Sequence, residues 1–222
     1  MRLRYVYPAL FLAAIFAIPP ARAQSSFDLN VGFGSAWNKS NGQGFDSAQS
    51  INAFGPCTPN SADPFCLKTP SLGGFFLGFG GDVMLTKRYG FGAEVSFQPG
   101  HPDYGPFQYR QTFYDFNGIY SPVNNKRVQV KIEGGIGGAR TSFAVNQTSC
   151  IGAACATQAV PTGINANHFA IHVGVGVELF VTEHFFVRPE FDYRYVNGFT
   201  DQFNSTSVPA AMVWVGYSFG EH

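Results

Sequence analysis

Eight stretches of this sequence alternate apolar and polar residues with a period of two, and this alternation constrains the fold more than any other feature. Successive side chains of a β-strand point to opposite faces of the sheet, so each stretch predicts a strand with one apolar and one polar face. The sharpest example is 187–195, where Val, Pro, Phe, Tyr and Tyr alternate with Arg, Glu, Asp and Arg. The stretches cover residues 27–37, 72–85, 91–97, 114–120, 128–136, 169–179, 187–195 and 213–219.

The connections between these stretches also alternate, between long and short. The long connections are rich in Gly, Pro, Asn and Ser and fall at 38–71, 98–109, 142–167 and 197–207. The short ones fall at 86–88, 121–126 and 182–184. This order predicts an antiparallel up-and-down meander with every long loop on one rim and every short turn on the other.

Charged residues in the middle of the eight stretches all lie on the polar face. An Arg or Lys at the midplane of a bilayer costs roughly 2–4 kcal/mol, so the uncharged apolar face can meet lipid and the polar face cannot. An open sheet edge in lipid would leave backbone groups unpaired, so the sheet must close. We therefore predict an all-β, eight-stranded antiparallel transmembrane β-barrel whose lumen holds Asp82, Glu94, Asp115, Lys131, Glu133, Glu178, Arg188, Glu190, Asp192 and Arg194.

The N-terminus predicts export. Met1-Arg-Leu-Arg supplies a positive start, an apolar run of about ten residues follows, and small residues end at Ala23. We expect a signal peptide at 1–23, cleaved after Ala23, and one barrel domain at 24–222 in a bacterial outer membrane. The full chain has 14 basic and 14 acidic residues, and the signal removes three arginines. The remaining weakly acidic chain gives no reason to expect nucleic acid as a partner.

The four cysteines predict disulfides, because an exported chain meets an oxidising compartment. Cys57 and Cys66 would close one loop, and Cys150 and Cys155 another, as the favoured of three connectivities. Neither loop offers clustered Cys or His at metal-ligand spacing. We therefore predict neither a metal nor any other cofactor.

The last strand carries a resemblance to a known family. In Val213-Trp-Val-Gly-Tyr-Ser-Phe219 aromatic residues alternate, which resembles the terminal signal read by the outer-membrane assembly machinery, here Tyr217 and Phe219. The sequence departs from that pattern in one respect, because Gly220-Glu-His222 follows the last aromatic residue. With the signal peptide and eight strands, the chain is similar to the small OmpA-type, OmpX-type and OmpW-type barrels. The resemblance implies contact with membrane lipid, lipopolysaccharide and that machinery.

Two interpretations of the lumen charges stay open, an ion path and a structural network. We favour a network, with Lys131 paired to Glu133, and with Arg188 and Arg194 paired to acidic neighbours. An eight-stranded lumen is narrow enough for side chains to fill it. Phe76, Met84, Phe113, Phe186 and Trp214 also point inward and would narrow the passage further.

The long loops favour a surface role in adhesion or envelope protection, with a ligand that the sequence does not name. The alternatives are a small-solute or hydrophobic-compound pore of OmpW type, a lipid A-modifying enzyme, and a soluble lipocalin-like carrier. The enzyme would use His168 and His172 with Glu178, but no serine stands at the position that such a site requires. We therefore predict no catalytic residues.

Overall fold

The computed structural model describes residues 26–40, 70–104, 107–151 and 154–220. They form nine strands: β1 (Ser26–Ala36), β2 (Phe76–Met84), β3 (Tyr89–Phe97), β4 (Asp103–Tyr104), β5 (Phe107–Asn124), β6 (Val128–Ile151), β7 (Ala154–Phe180), β8 (Phe185–Val196) and β9 (Ser207–Phe219). A 3-10 helix at Phe199–Asp201 precedes β9. None of the helical structure in these ranges is long and apolar enough to cross a membrane.

Antiparallel pairing closes eight of these strands into a ring. Each strand pairs with its neighbours along the chain, β3 passes over β4 to pair with β5, and β9 returns to pair with β1. Phe27 lies opposite Phe219 at this last seam. The two-residue β4 adds only to the end of β5 and is not part of the wall. The prediction of an eight-stranded antiparallel barrel is confirmed.

The two faces of the wall differ in polarity as the alternation requires. Outward side chains form an apolar band, in which Phe91 is 62% exposed and Phe116 is 64% exposed. Inward positions carry the charges, and Asp82 and Lys131 are fully buried in the lumen. A slip of one residue would exchange the two faces of a strand, so the buried charges fix the register.

The third long connection is different from the predicted loop. Instead of ending near residue 142, β6 and β7 continue as a paired hairpin to Ile151 and Ala154. The pairing shifts between Ser142 and Ala144, where Thr162 donates from its hydroxyl to the carbonyl of Phe143 at 2.9 Å. Gly163 allows this irregularity with a φ of 77°.

Pro189 lies inside β8 and produces no bulge there. The register between β7 and β8 is the same on both sides of it, since Gly176 pairs with Glu190 and Leu179 with Val187. Only the ladder pairs in between are missing. The proline ring faces outward, so the missing hydrogen bond lies in the wall and leaves the lumen contacts of its neighbours intact.

Several predictions lie outside the described residues. They are the signal peptide at 1–23, its cleavage after Ala23, and the Cys57 and Cys66 disulfide. In the hairpin, Cys150 stands directly opposite Cys155 in the strand register. Directly opposed residues of an antiparallel pair have the Cα separation that a disulfide needs. The pairing of these two cysteines stays a prediction.

Candidate functional site

The lumen near the short turns is organised around one lysine. The ammonium of Lys131 lies 2.8 Å from Asp28, 2.8 Å from Asp82 and 2.6 Å from Glu178. All four side chains are fully buried, so these ion pairs are shielded from solvent. Ser218 on β9 donates its hydroxyl to Asp28 at 2.5 Å, which links the last strand to the first.

Arg188 occupies the centre of the lumen. Its guanidinium lies 2.7 Å from Asp82, 2.5 Å from Glu94 and 2.9 Å from Glu190. Two further carboxylates, Glu133 and Glu178, lie at 3.5 and 3.6 Å. Asp82 uses one oxygen for both Lys131 and Arg188, so the two cationic centres form one continuous network.

An indole ring covers this centre. The ring of Trp214 lies 5.5 Å from the guanidinium of Arg188, and its Nε1 donates to Glu190 at 3.0 Å. Tryptophan here supplies both a cation–π contact and a neutral donor to a buried carboxylate. Gly32 and Gly78 face the ring, and a Cβ at Gly78 would lie 2.6 Å from it. Glycine is therefore required beside the indole.

The network continues toward the long loops through Arg194 and His172. Arg194 donates two hydrogen bonds to Asp115, each at 2.8 Å, and approaches Asp192 at 3.9 Å. His172 places Nε2 2.8 Å from Asp192 and Nδ1 3.0 Å from the side chain of Asn117. The amide of Asn117 donates to Glu133 at 3.2 Å and so joins this layer to the central one.

Within the described residues, the lumen holds three Lys and Arg side chains and one histidine, His172, against eight buried carboxyl groups, on Asp28, Asp82, Glu94, Asp115, Glu133, Glu178, Glu190 and Asp192. Two acidic triads, Asp28/Asp82/Glu178 and Asp82/Glu94/Glu133, are close enough to hold a metal ion. Each triad is instead in contact with a nitrogen of Lys131 or Arg188. The protein thus supplies its own cations at both places.

An aromatic cluster fills the lumen beyond Arg194, toward the long loops. Phe113 lies 5.3 Å from the Arg194 guanidinium and stacks on Phe76 at 5.9 Å. Phe199 contacts Phe113 at 6.4 Å and Phe203 at 4.7 Å between ring centroids. Phe199 and Phe203 belong to the connection between β8 and β9, which folds inward. We call the buried set the aromatic plug; it comprises Phe76, Tyr104, Tyr109, Phe113, Phe143, Phe199 and Phe203.

All ten residues predicted to face the lumen lie there, but some partners differ from those expected. Lys131 reaches across the lumen to Asp28 and Asp82, contacts Glu178 on the adjacent β7, and does not pair with Glu133, its neighbour on the same strand. Asp28 was absent from the predicted network although alternation already placed it on the polar face. The plug residues Phe199 and Phe203 were missed because they lie in a predicted loop.

The residues considered for catalysis do not assemble into a triad. Glu178 is bound to Lys131, and both nitrogens of His172 are engaged by Asn117 and Asp192. His168 instead lies beside the carbonyl of Asn197 at 3.0 Å. The absence of enzyme activity stays a prediction.

The predicted assembly signal lies on the outside of the wall. The ring of Phe219 stacks on Phe27 at 6.0 Å and is tilted against Tyr217 at 4.6 Å. The role of Tyr217 and Phe219 in assembly stays a prediction.

Solved structures share this architecture. The attachment invasion locus protein Ail of Yersinia pestis, solved with the heparin analogue sucrose octasulfate, matches with a TM-score of 0.51 at 12% identity, over 88% of this chain and 99% of that one. Neisserial surface protein A matches with a TM-score of 0.50 at 13% identity, over 88% and 98%. At these identities the likeness shows the fold alone. No curated protein matches the sequence.

A family model gives the assignment that the solved structures do not. The model described as "Outer membrane protein beta-barrel domain" matches residues 9–219. Together with the closed wall, the apolar outer band and the charged lumen, this match places the protein in the bacterial outer membrane. The chain belongs to the outer membrane protein beta-barrel domain family.

Proposed function

We propose that this protein is a closed barrel that displays the β6–β7 hairpin at the cell surface for adhesion. The observation that carries the proposal is the length of these two strands, 24 and 27 residues. A transmembrane β-strand needs only about 9–11 residues, so more than half of each strand extends beyond the lipid. The barrel then serves as a rigid base for the hairpin.

Among the described residues, the ladders that join the hairpin to the rest of the wall end well before its tip. On the β5 side of β6 the last register pair is Gln108 with Ala144. On the β8 side of β7 the last pair is Ala170 with Val196, followed by one backbone hydrogen bond from Asn197 to the carbonyl of Phe169 at 2.9 Å. No Asp, Glu, Lys or Arg occurs from residue 141 to 167. Natural edge strands are blocked by charges, and an uncharged free edge accepts an added strand. The hairpin could therefore bind an extended segment of a partner protein as an added strand.

The filled lumen argues against the pore. An ion would have to pass the aromatic plug and then the ion pairs around Arg188, and both layers are buried and mutually packed. A surface role is supported by the likeness to the attachment invasion locus protein of Yersinia pestis, which is named for attachment. Envelope protection by the same loops is compatible with the closed lumen but uses no specific feature of the hairpin.

The proposal is tested by shortening the hairpin while leaving the wall intact. Ala144 and Pro161 are register partners, so residues 145–160 can be replaced by an Asn-Gly turn. We expect cells that display this variant to lose adhesion to surfaces coated with extracellular-matrix protein. A matched control keeps the hairpin length and places one charge pair on it through Val145→Lys and Val160→Glu, which should weaken adhesion partially.

Two results would contradict the proposal. One is equal adhesion by the shortened and the full-length protein when both show heat-modifiable gel mobility, which reports a folded barrel. The other is discrete conductance steps from the purified protein in planar bilayers, since these would require an open lumen and favour the pore.

A further inference from the structure

A groove runs along the lipid-facing wall over β3, β5 and β6. Its floor is formed by Gly118 and Gly134, which are register partners on neighbouring strands. Phe91, Tyr120 and Ile132 stand beside the floor, and the space between them measures about 570 Å³. A second depression of about 390 Å³ shares Phe91 and both glycines and extends the groove toward the middle of the wall.

The groove is a real gap in the apolar band. A Cβ on Gly118 would find its nearest atom at 3.7 Å and one on Gly134 at 3.9 Å, and both of these atoms belong to backbone. Elsewhere the band carries large side chains, such as Phe169, which is 54% exposed. In a membrane, only an apolar chain can fill such a gap.

Four basic residues stand at the foot of the groove. Lys87 and Arg88 form the turn between β2 and β3, and Lys126 and Arg127 lie in the turn between β5 and β6. All four are exposed. The two turns are joined, because Ser121 donates from its backbone to the carbonyl of Arg88 at 2.7 Å, and Asn124 donates from its side chain to the carbonyl of Lys87 at 3.1 Å.

This positive cluster is local. Neither 86–88 nor 121–127 contains an Asp or Glu, whereas the remaining short turn, 181–184, carries Glu183. The basic turns also meet the groove directly, since Leu85, Thr86 and Tyr89 line its lower end. Tyr89 and Tyr120 pack there with ring centroids 5.4 Å apart, at the level where aromatic residues mark the membrane interface.

We propose that this groove and the four basic residues form a binding site for one anionic phospholipid of the periplasmic leaflet. Short turns of such barrels face the periplasm, so the cluster lies at the level of that leaflet's headgroups. The acyl chain would occupy the space above Gly118 and Gly134, and the phosphate would lie among Arg88, Lys87, Lys126 and Arg127. The site is independent of the hairpin and goes beyond the proposed function.

The test compares bound lipids by native mass spectrometry of the detergent-solubilised full chain. The protein is incubated with an equimolar mixture of phosphatidylglycerol and phosphatidylethanolamine that carry the same acyl chains. We expect phosphatidylglycerol to be enriched on the wild type. In the Lys87→Gln/Arg88→Gln variant, the ratio of bound phosphatidylglycerol to bound phosphatidylethanolamine should fall about fivefold for each cation removed. The matched control Arg110→Gln/Arg140→Gln removes two cations near the opposite rim and should keep the enrichment.

The groove itself is tested by Gly118→Leu, which fills the floor and leaves the cations in place. We expect this variant to bind less of both lipids. Ile132→Phe narrows the groove from its side and serves if the leucine variant lacks heat-modifiable mobility. The proposal would be overturned if Lys87→Gln/Arg88→Gln and the control Arg110→Gln/Arg140→Gln showed equal enrichment of phosphatidylglycerol. Unchanged lipid binding in the filled-groove variants would also overturn it. So would binding of glycerol phosphate, which has no acyl chain.

Discussion

Replacing Arg188 by Met should cost this barrel a large part of its stability. Five carboxylates lie within 3.6 Å of the guanidinium, and both the arginine and its partners are buried. Methionine keeps much of the volume but removes the charge, so Glu94 and Glu190 lose their only close cation among the described residues. Removing one partner of a buried ion pair typically costs 3–5 kcal/mol. We expect a loss of about this size, against the roughly 5–15 kcal/mol that stabilises an ordinary domain.

The loss can be measured by urea unfolding in lipid vesicles with tryptophan fluorescence. Trp214 reports directly on the site, because its ring lies 5.5 Å from the guanidinium. Arg110→Met is the matched control, since Arg110 lies near the long-loop rim and makes one hydrogen bond, of 3.4 Å, to the carbonyl of Pro99. Its free energy of unfolding should change by no more than about 0.5 kcal/mol.

A second variant separates charge from packing. If unpaired carboxylates cause the loss, adding Glu94→Gln and Glu190→Gln to Arg188→Met should restore part of the stability, since neutral amides need no cation. A loss below about 1 kcal/mol for Arg188→Met, or no recovery in the combined variant, would refute the reasoning that Arg188 neutralises the lumen.

Three further predictions concern the wall and the hairpin. Val173→Arg places a charge in the outward apolar band and should lower the free energy of unfolding in vesicles by roughly 2–4 kcal/mol. The loss arises in the folded state, where the arginine meets lipid, and the energy of the lipid-free denatured state should change little. Gly78→Ala forces the indole of Trp214 to move and should cost about 1–3 kcal/mol, whereas a Cβ at Gly118 makes only ordinary van der Waals contact, so Gly118→Ala should cost nothing measurable. Cys150→Ser should leave the thiol of Cys155 open to alkylation, whereas the unreduced mature wild type should not react. The added mass is measured by mass spectrometry, and a variant without a new reactive thiol would contradict the hairpin disulfide.

The alternation of polar and apolar residues was sufficient to predict the wall, because each strand meets lipid on one side and charge on the other. It failed where both faces of a strand meet water. The outer parts of β6 and β7 are built mainly of Ala, Thr, Asn, Gln and Val without a two-faced pattern, so their Gly, Pro and Asn content predicted a loop. Hairpin pairing there depends on register, which composition does not reveal.

The partners in the lumen could not be predicted for a different reason. Lys131 and Glu133 are neighbours in sequence and on the same face, which suggested a pair, but a long side chain in a narrow cylinder reaches the opposite wall more easily than its own strand. The aromatic plug needs the path of the connection after β8, which brings Phe199 and Phe203 back into the lumen. The partners of Lys131 and the composition of the aromatic plug both depend on how the barrel closes in three dimensions.

The seam between β1 and β9 has a consequence for how the molecule is made. Ser218 and Asp28, which are hydrogen-bonded across this seam, are separated by 190 residues. Contacts between residues so far apart form late, because the intervening chain must first be ordered. Until β9 is available, the sheet has two unpaired edges and its charged interior is not enclosed. The barrel therefore cannot close before the polypeptide has been made as far as this last strand.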